Sequence, residues 1–186
     1  MTKSKWLTIP NLLSLLRLMM IPLFSWLYLR GKYNTTALVL LLSGLTDVAD
    51  GWYARRFNAV SEVGKALDPI ADKLTQAAML LCLITNHPLL LAPFTLLLIK
   101  EISGCIAGVV VIRRTGIVPA AVWHGKITTL LLYLLMLIHV VWKDIPLTLS
   151  NVFTGLCVLM MLLSMTLYAI RNARIIRNAD RKGSHL

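Results

Sequence analysis

The chain has 186 residues, 58% of them hydrophobic, with a mean hydropathy of +0.75 and a formal net charge of +11. That length allows one domain, and the composition excludes an ordinary soluble one. The charge does not point to nucleic acid, because the basic residues are dispersed between apolar runs without a soluble scaffold to present them.

Hydrophobic runs near membrane-spanning length recur along the whole chain. They predict an all-α integral membrane bundle of six transmembrane helices, forming a single domain over 1–186 with spans at about 10–29, 35–54, 61–85, 89–112, 122–142 and 147–170. Cys82, Cys105 and Cys157 are odd in number, widely spaced and inside apolar segments, so they read as packing residues rather than a disulfide framework or zinc site.

Lys3, Lys5 and Trp6 precede the first span. Arg17 inside the run, and the lack of a small-residue cleavage site, weigh against a secretory signal. Asn11, Ser14 and Arg17 recur at intervals of three and form a polar strip on an otherwise apolar helix. A helix cap plus a snorkelling Arg would account for the strip. The depth of Arg17 favours a second account, in which it faces carboxylates on the next spans.

Arg30 to Asn34 makes an outer turn, and the second span carries Asp47 and Asp50 in its last turns. Arg55 to Asn58 connects to the third span, whose early turns carry Asp68 and Asp72. Asn86-His87-Pro88 closes the next outer turn, and the fourth span holds Lys100 and Glu101 near its middle. A basic inner loop with Arg113 and Arg114 leads to the fifth span, with His124 and Lys126 near its start and His139 near its far end. After Lys143-Asp144-Ile-Pro146 the sixth span ends in a basic tail of Arg171, Arg174, Arg177, Arg181 and Lys182. The excess of these cations over Arg30, Lys32 and Lys143 puts both termini in the cytoplasm. The tail reads as a solvated face drawn to anionic lipid, and the Trp residues as interface anchors.

The most informative stretch joins the second and third spans. Four of the eight acidic residues, Asp47, Asp50, Asp68 and Asp72, sit among apolar runs where an unpaired carboxylate is strongly disfavoured. Asp47 and Asp50 are three apart and Asp68 and Asp72 four apart, so each pair shares one helix face. Both pairs fall at cytoplasmic helix ends and converge on one space. Oxygen donors with unneutralised charge suit magnesium, manganese or calcium, and four carboxylates can hold two ions in the manner of two-metal phosphoryl-transfer sites. Gly51, Ala54 and Gly64 leave room for a bulky ligand, and Arg55 supplies a fork for a phosphate oxygen. The four histidines lack ligand spacing and none is assigned to a metal; His124, near Lys126, is the one to test.

Asp47, Asp50, Gly51, Ala54, Arg55, Gly64, Asp68 and Asp72 fit D-x2-D-G-x2-A-R-x8-G-x3-D-x3-D at every fixed position. In this the chain closely resembles the CDP-alcohol phosphotransferase family of integral membrane enzymes. The resemblance implies two Mg2+ or Mn2+ ions on Asp47, Asp50, Asp68 and Asp72, and a CDP-lipid bound at Asp47, Asp50, Gly51, Ala54, Arg55, Gly64 and Asp68. It implies Asp72 as general base on the acceptor hydroxyl, CMP as leaving group, and a homodimer, while the charge topology predicts an active site on the cytoplasmic side of a bacterial plasma (inner) membrane.

Ile9 to Arg17 and Leu67 to Lys73 resemble the branch that makes phosphatidylglycerophosphate from CDP-diacylglycerol and glycerol 3-phosphate, and equally the branch that makes cardiolipin from phosphatidylglycerol. Gly125-Lys126-Ile-Thr128 resembles a Gly-Lys-x-Lys-Thr segment of the first branch, with Thr128 in place of the second Lys. A glycerol phosphate acceptor is a dianion and needs basic partners, for which Arg17, Lys100, Arg113, Arg114 and Lys126 are the candidates. Glycerol 3-phosphate is the preferred acceptor and phosphatidylglycerol the alternative. A rival of another class, an ion-coupled transporter using the Asp cluster, is disfavoured because the acids lie toward one face and paired broken helices are lacking.

Overall fold

The computed structural model describes the backbone of residues 9–57, 62–116 and 122–183, and the side chains of 11–47, 49, 56, 67–116 and 122–178. Six α-helices follow one another: α1 (Ile9–Leu29), α2 (Tyr33–Phe57), α3 (Glu62–Ile84), α4 (Leu91–Thr115), α5 (Trp123–Val141) and α6 (Leu147–Gly183), with a single 3-10 turn at Pro88–Leu90 before α4. Among the described residues there is no strand.

Four stretches of the described residues are long and apolar enough to cross a membrane: Asn11–Leu29, Pro88–Thr115, Trp123–Val141 and Leu147–Asn178. The described part of α3 falls outside this set because it holds Asp68, Asp72 and Lys73, and α2 has a continuous run of described side chains only over 33–47. Their adjoining ends carry Asp47, Asp50, Arg55 and Arg56 on one helix and Glu62, Lys65, Asp68, Asp72 and Lys73 on the other. All six expected helices are present, and among the described residues four of the six expected crossings are long and apolar enough to span a membrane. α6 also runs well past its expected end near 170, because residues 171–182 contain no Pro or Gly and are rich in good helix formers.

The chain divides into two compact units, Met1–Pro88 with Met136–Ile145, and Leu89–Leu135 with Pro146–Leu186. In the first, α1 packs against both α2 and α3. The buried face of α1 runs Asn11, Ser14, Arg17, Phe24, Leu27 and Tyr28, spaced as one helix face should be. It is polar in its first half and apolar in its second. α2 reverses that order, with Thr36, Ala37, Leu40 and Ser43 buried before Asp47. α3 follows Asp68 and Asp72 with buried Thr75, Gln76, Met79, Leu80 and Leu83. Because α1 and α2 are joined by a tight turn and run oppositely, the polar halves meet at one end and the apolar halves at the other.

That turn is closed by Gly31 at φ 75°. Its N–H donates to Tyr28 O at 2.9 Å and the Lys32 N–H donates to Leu27 O at 3.0 Å, the paired bonds of a Schellman motif, in which a left-handed residue ends the helix. The apolar end of the unit is tied by Asn86, whose Nδ2 donates to the Tyr28 hydroxyl at 2.8 Å. In the second unit α4 packs on α6. Cys82 and Cys157 are buried and all three cysteines are free. Cys105, expected to be a packing residue, is instead exposed on the outer surface of α4.

His87 follows α3 and meets His139 of α5 edge to face, with ring centroids 5.0 Å apart. Its Nε2 is buried. Burial holds the His87 imidazole below its ordinary pKa, the neighbouring His139 pushes the same way, and Asp144 opposes them. The unfolded chain therefore takes up this proton first as pH falls through about 6.5, so acid destabilises the fold. The melting temperature of purified protein should drop between pH 7 and pH 5, and His87→Phe should flatten that dependence while keeping the ring contact. Thermal unfolding across this pH range checks it.

Candidate functional site: carboxylates gathered by a buried arginine

The polar end of the first unit is built around Arg17. Its side chain is 0% exposed, and Nη1 lies 2.8 Å from Asp47 Oδ1 and 3.0 Å from Asp68 Oδ1. One nitrogen of α1 thus joins carboxylates from α2 and α3. The two Asp side chains keep 39% and 43% of their surface, so the carboxylates sit at an opening while the guanidinium is sealed behind them. A guanidinium buried in an apolar helix requires such partners.

Asp72 lies one turn beyond Asp68 on the same face of α3 and within electrostatic reach of Asp47. At 16% exposure it is the most enclosed of the three described carboxylates. Lys73 and Gln76 are among its neighbours. Lys73 Nζ stands 3.7 Å from Oδ2, and Gln76 Nε2 donates to Oδ1 at 3.2 Å and Oδ2 at 3.1 Å. The sequence reading missed both as site residues. The signal for Gln76 was its position four residues after Asp72, where helical side chains meet.

The backbones of Asp50, Gly51, Ala54 and Arg55 belong to α2 and that of Gly64 to α3, while their side-chain positions lie outside the described residues. Among the described residues no three His, Cys, Asp or Glu side chains already stand at metal-binding spacing. The donor set nevertheless fits a hard divalent ion. Asp47 and Asp68 already share one cation across two helices, their oxygens are only partly enclosed, and carboxylates are the ligands that magnesium and manganese prefer.

The remaining candidate cations belong to the second unit. Lys100 is largely buried and pairs with Glu101 at 3.1 Å. Arg113 and Arg114 are exposed in the last turn of α4, where positive charge suits the helix dipole, and Lys126 is exposed in the first turn of α5. His124 is 4% exposed, and its Nδ1 shares a hydrogen bond of 2.9 Å with Ser164 Oγ of α6. Tyr168 packs its edge against His124 at 4.6 Å and carries Arg171 over its own ring at 4.9 Å. Gly125 makes room there: a Cβ would stand 2.5 Å from the Tyr168 hydroxyl, so that side chain would have to shift. His124 is thus accounted for as a joint between α5 and α6.

A family model described as CDP-alcohol phosphatidyltransferase matches residues 7–170. A cardiolipin synthase (CMP-forming) of Streptomyces coelicolor is 41% identical over 130 residues, covering 66% of this chain and 60% of that protein. A CDP-diacylglycerol–glycerol-3-phosphate 3-phosphatidyltransferase of Aquifex aeolicus is 32% identical over 176 residues, covering 91% of this chain and 98% of that protein. A probable phosphatidylglycerophosphate synthase of Mycobacterium tuberculosis is 33% identical over 133 residues, or 68% of this chain and 63% of that protein.

The ion pairs make a prediction about stability. Replacing Arg17 by Met leaves Asp47 and Asp68 without their shared cation. Loss of one partner of a fully buried pair is worth several kcal/mol, but both carboxylates are partly solvated and screened, so the expected cost is about 1–3 kcal/mol. Arg17→Met should melt below the wild type in a chelator and recover more than the wild type does on adding Mn2+. Thermal unfolding of purified protein with and without the ion measures both effects.

Proposed function

The chain belongs to the CDP-alcohol phosphatidyltransferase family, and from that premise we propose that it transfers a phosphatidyl group from CDP-diacylglycerol to glycerol 3-phosphate, giving phosphatidylglycerophosphate and CMP. The observation that carries the chemistry is the meeting of Asp47 and Asp68, from two different helices, at one buried cation. The choice of acceptor is supported by the Aquifex relative of that activity, whose length the match covers almost entirely. A second reading, cardiolipin synthesis with phosphatidylglycerol as acceptor, is supported by the higher identity to the Streptomyces protein over a shorter stretch.

In this reading Asp47, Asp50, Asp68 and Asp72 hold two ions of Mg2+ or Mn2+, in a family that is generally divalent-metal dependent. When bound, such ions neutralise charge on a diphosphate and on the oxygens exchanged at phosphorus. Gly51, Ala54, Arg55 and Gly64 line the place of the CDP moiety, with the Arg55 fork on a phosphate oxygen. Asp72 takes the proton of the acceptor hydroxyl as that oxygen bonds to the lipid-linked phosphorus. The bond from this phosphorus to the CMP oxygen breaks, and CMP leaves with the electron pair.

Lys100, Arg113, Arg114 and Lys126 are the cations proposed to meet an anionic acceptor. Arg17 was a further candidate for that contact. Its bonds to Asp47 and Asp68 instead support a charge-balancing role within the carboxylate frame. The distribution of basic residues supports six crossings in one domain, with both termini and the site on the cytoplasmic side of an inner membrane. Exposed Trp26, Trp123 and Trp142 suit interfacial anchors, and the basic end of α6 suits anionic lipid. Family resemblance suggests a homodimer.

The test is direct. Purified protein given labelled CDP-diacylglycerol and Mn2+ should convert glycerol 3-phosphate to phosphatidylglycerophosphate with release of CMP. Lipid product from phosphatidylglycerol alone would move the assignment to the second reading. Asp72→Asn should lower CMP release by about 10²–10⁴-fold, the range for removing a general base, with the protein still folded in the membrane. Wild-type turnover in Asp72→Asn would sink the mechanism.

A further inference from the structure

Gln76 is 0% exposed, and half of its amide is poorly accommodated. Nε2 donates to both oxygens of Asp72, while Oε1 is buried with no partner among the described residues. Burying an amide with an unsatisfied oxygen costs stability, and an apolar side chain of similar length would fit the same helix face more cheaply. The amide cannot simply be turned over to relieve this. An ionised carboxylate only accepts hydrogen bonds, so the nitrogen end must face Asp72. The expense therefore falls on one contact, the hold on Asp72.

We infer that Gln76 is a positioning residue for Asp72: it fixes the rotation of that carboxylate toward the ion and the acceptor proton. Each carboxylate oxygen has about two lone-pair sites, and Gln76 engages one on each oxygen. The side chain sits one helical turn behind Asp72 with its own χ angles locked by burial, which makes it a rigid support. Lys73 Nζ stands farther off, 3.7 Å from Oδ2, on a side chain that is 29% exposed, and a long, partly solvated side chain is a looser support than a buried amide. Partners that orient metal ligands from behind typically matter by about 10–100-fold in metal affinity or turnover. The inference rests on the proposed role of Asp72.

The experiment uses full-length protein in detergent, with Mn2+ titrated alone by electron paramagnetic resonance and turnover measured separately. Gln76→Leu should fold, melting no lower than the wild type because the orphaned oxygen is gone. It should bind Mn2+ about 10–100-fold more weakly and lose kcat by a similar factor, while KM for CDP-diacylglycerol stays within about twofold. Gln76→Met serves if the branched side chain disturbs packing, and carries the same expectation. In an Asp72→Asn background Gln76→Leu should cost nothing further in Mn2+ affinity, which a general packing role would not predict. Wild-type Mn2+ affinity and kcat in both Gln76 variants, beside an inactive Asp72→Asn, would overturn the inference alone. An Asp72→Asn protein with normal Mn2+ binding and turnover would overturn the reading beneath it.

Discussion

One arginine sealed inside an apolar helix bundle sets the terms for the first unit. Arg17 has no exposed surface, and its Nη1 reaches Asp47 and Asp68 together. Separating the three would strand a guanidinium in hydrocarbon and two carboxylates at its edge, each more costly than the assembled group. The relative placement of α1, α2 and α3 is thereby tied to the geometry of the carboxylates. The proposed phosphoryl chemistry needs donors from different helices at one space, and this ion group brings Asp47 and Asp68 there from α2 and α3.

The remainder of the unit follows from the same division. Each of its three helices has one buried face that is polar at one end and apolar at the other, so the charged cluster occupies one end and Phe24, Leu27, Met79, Leu80 and Leu83 fill the rest. The apolar end is closed by the Gly31 turn and the bond from Asn86 to Tyr28. At the polar end the partial exposure of Asp47 and Asp68 leaves oxygens available to a ligand. The apolar end carries packing, and the polar end is where the proposed chemistry would be placed. A substrate with a lipid anchor and a charged head has the same polarity, which agrees with the family to which the chain belongs.

Much of this was legible in the sequence because helical spacing is strict. Asp47 and Asp50, and Asp68 and Asp72, had to share faces, and the strip of Asn11, Ser14 and Arg17 pointed to a polar partner for α1. Other features were not legible, for identifiable reasons. Gln76 is a good helix former in a helix, so its type carries no signal; only its contact with Asp72 does. The bond between His124 and Ser164 spans forty residues, and a single sequence gives no register between α5 and α6. From the sequence, Lys100 stands with Glu101 near the middle of α4 as a candidate for the acceptor, and its ion pair with Glu101 at 3.1 Å is a contact between adjacent residues that side-chain rotamers, not spacing, decide. The continuation of α6 was missed because a basic tail suggested solvent, whereas residues 171–182 hold no Pro or Gly to stop the helix.

The central claim is that four aspartates from α2 and α3 form one site for two divalent ions, with Arg17 as the permanent counter-charge that gathers Asp47 and Asp68. Electron paramagnetic resonance of the purified protein saturated with Mn2+ tests it most directly. Two ions on shared carboxylates give an exchange-coupled spectrum, which should collapse to that of isolated Mn2+ in Asp68→Asn. A spectrum of isolated or free Mn2+ alone in the wild-type protein would contradict the account.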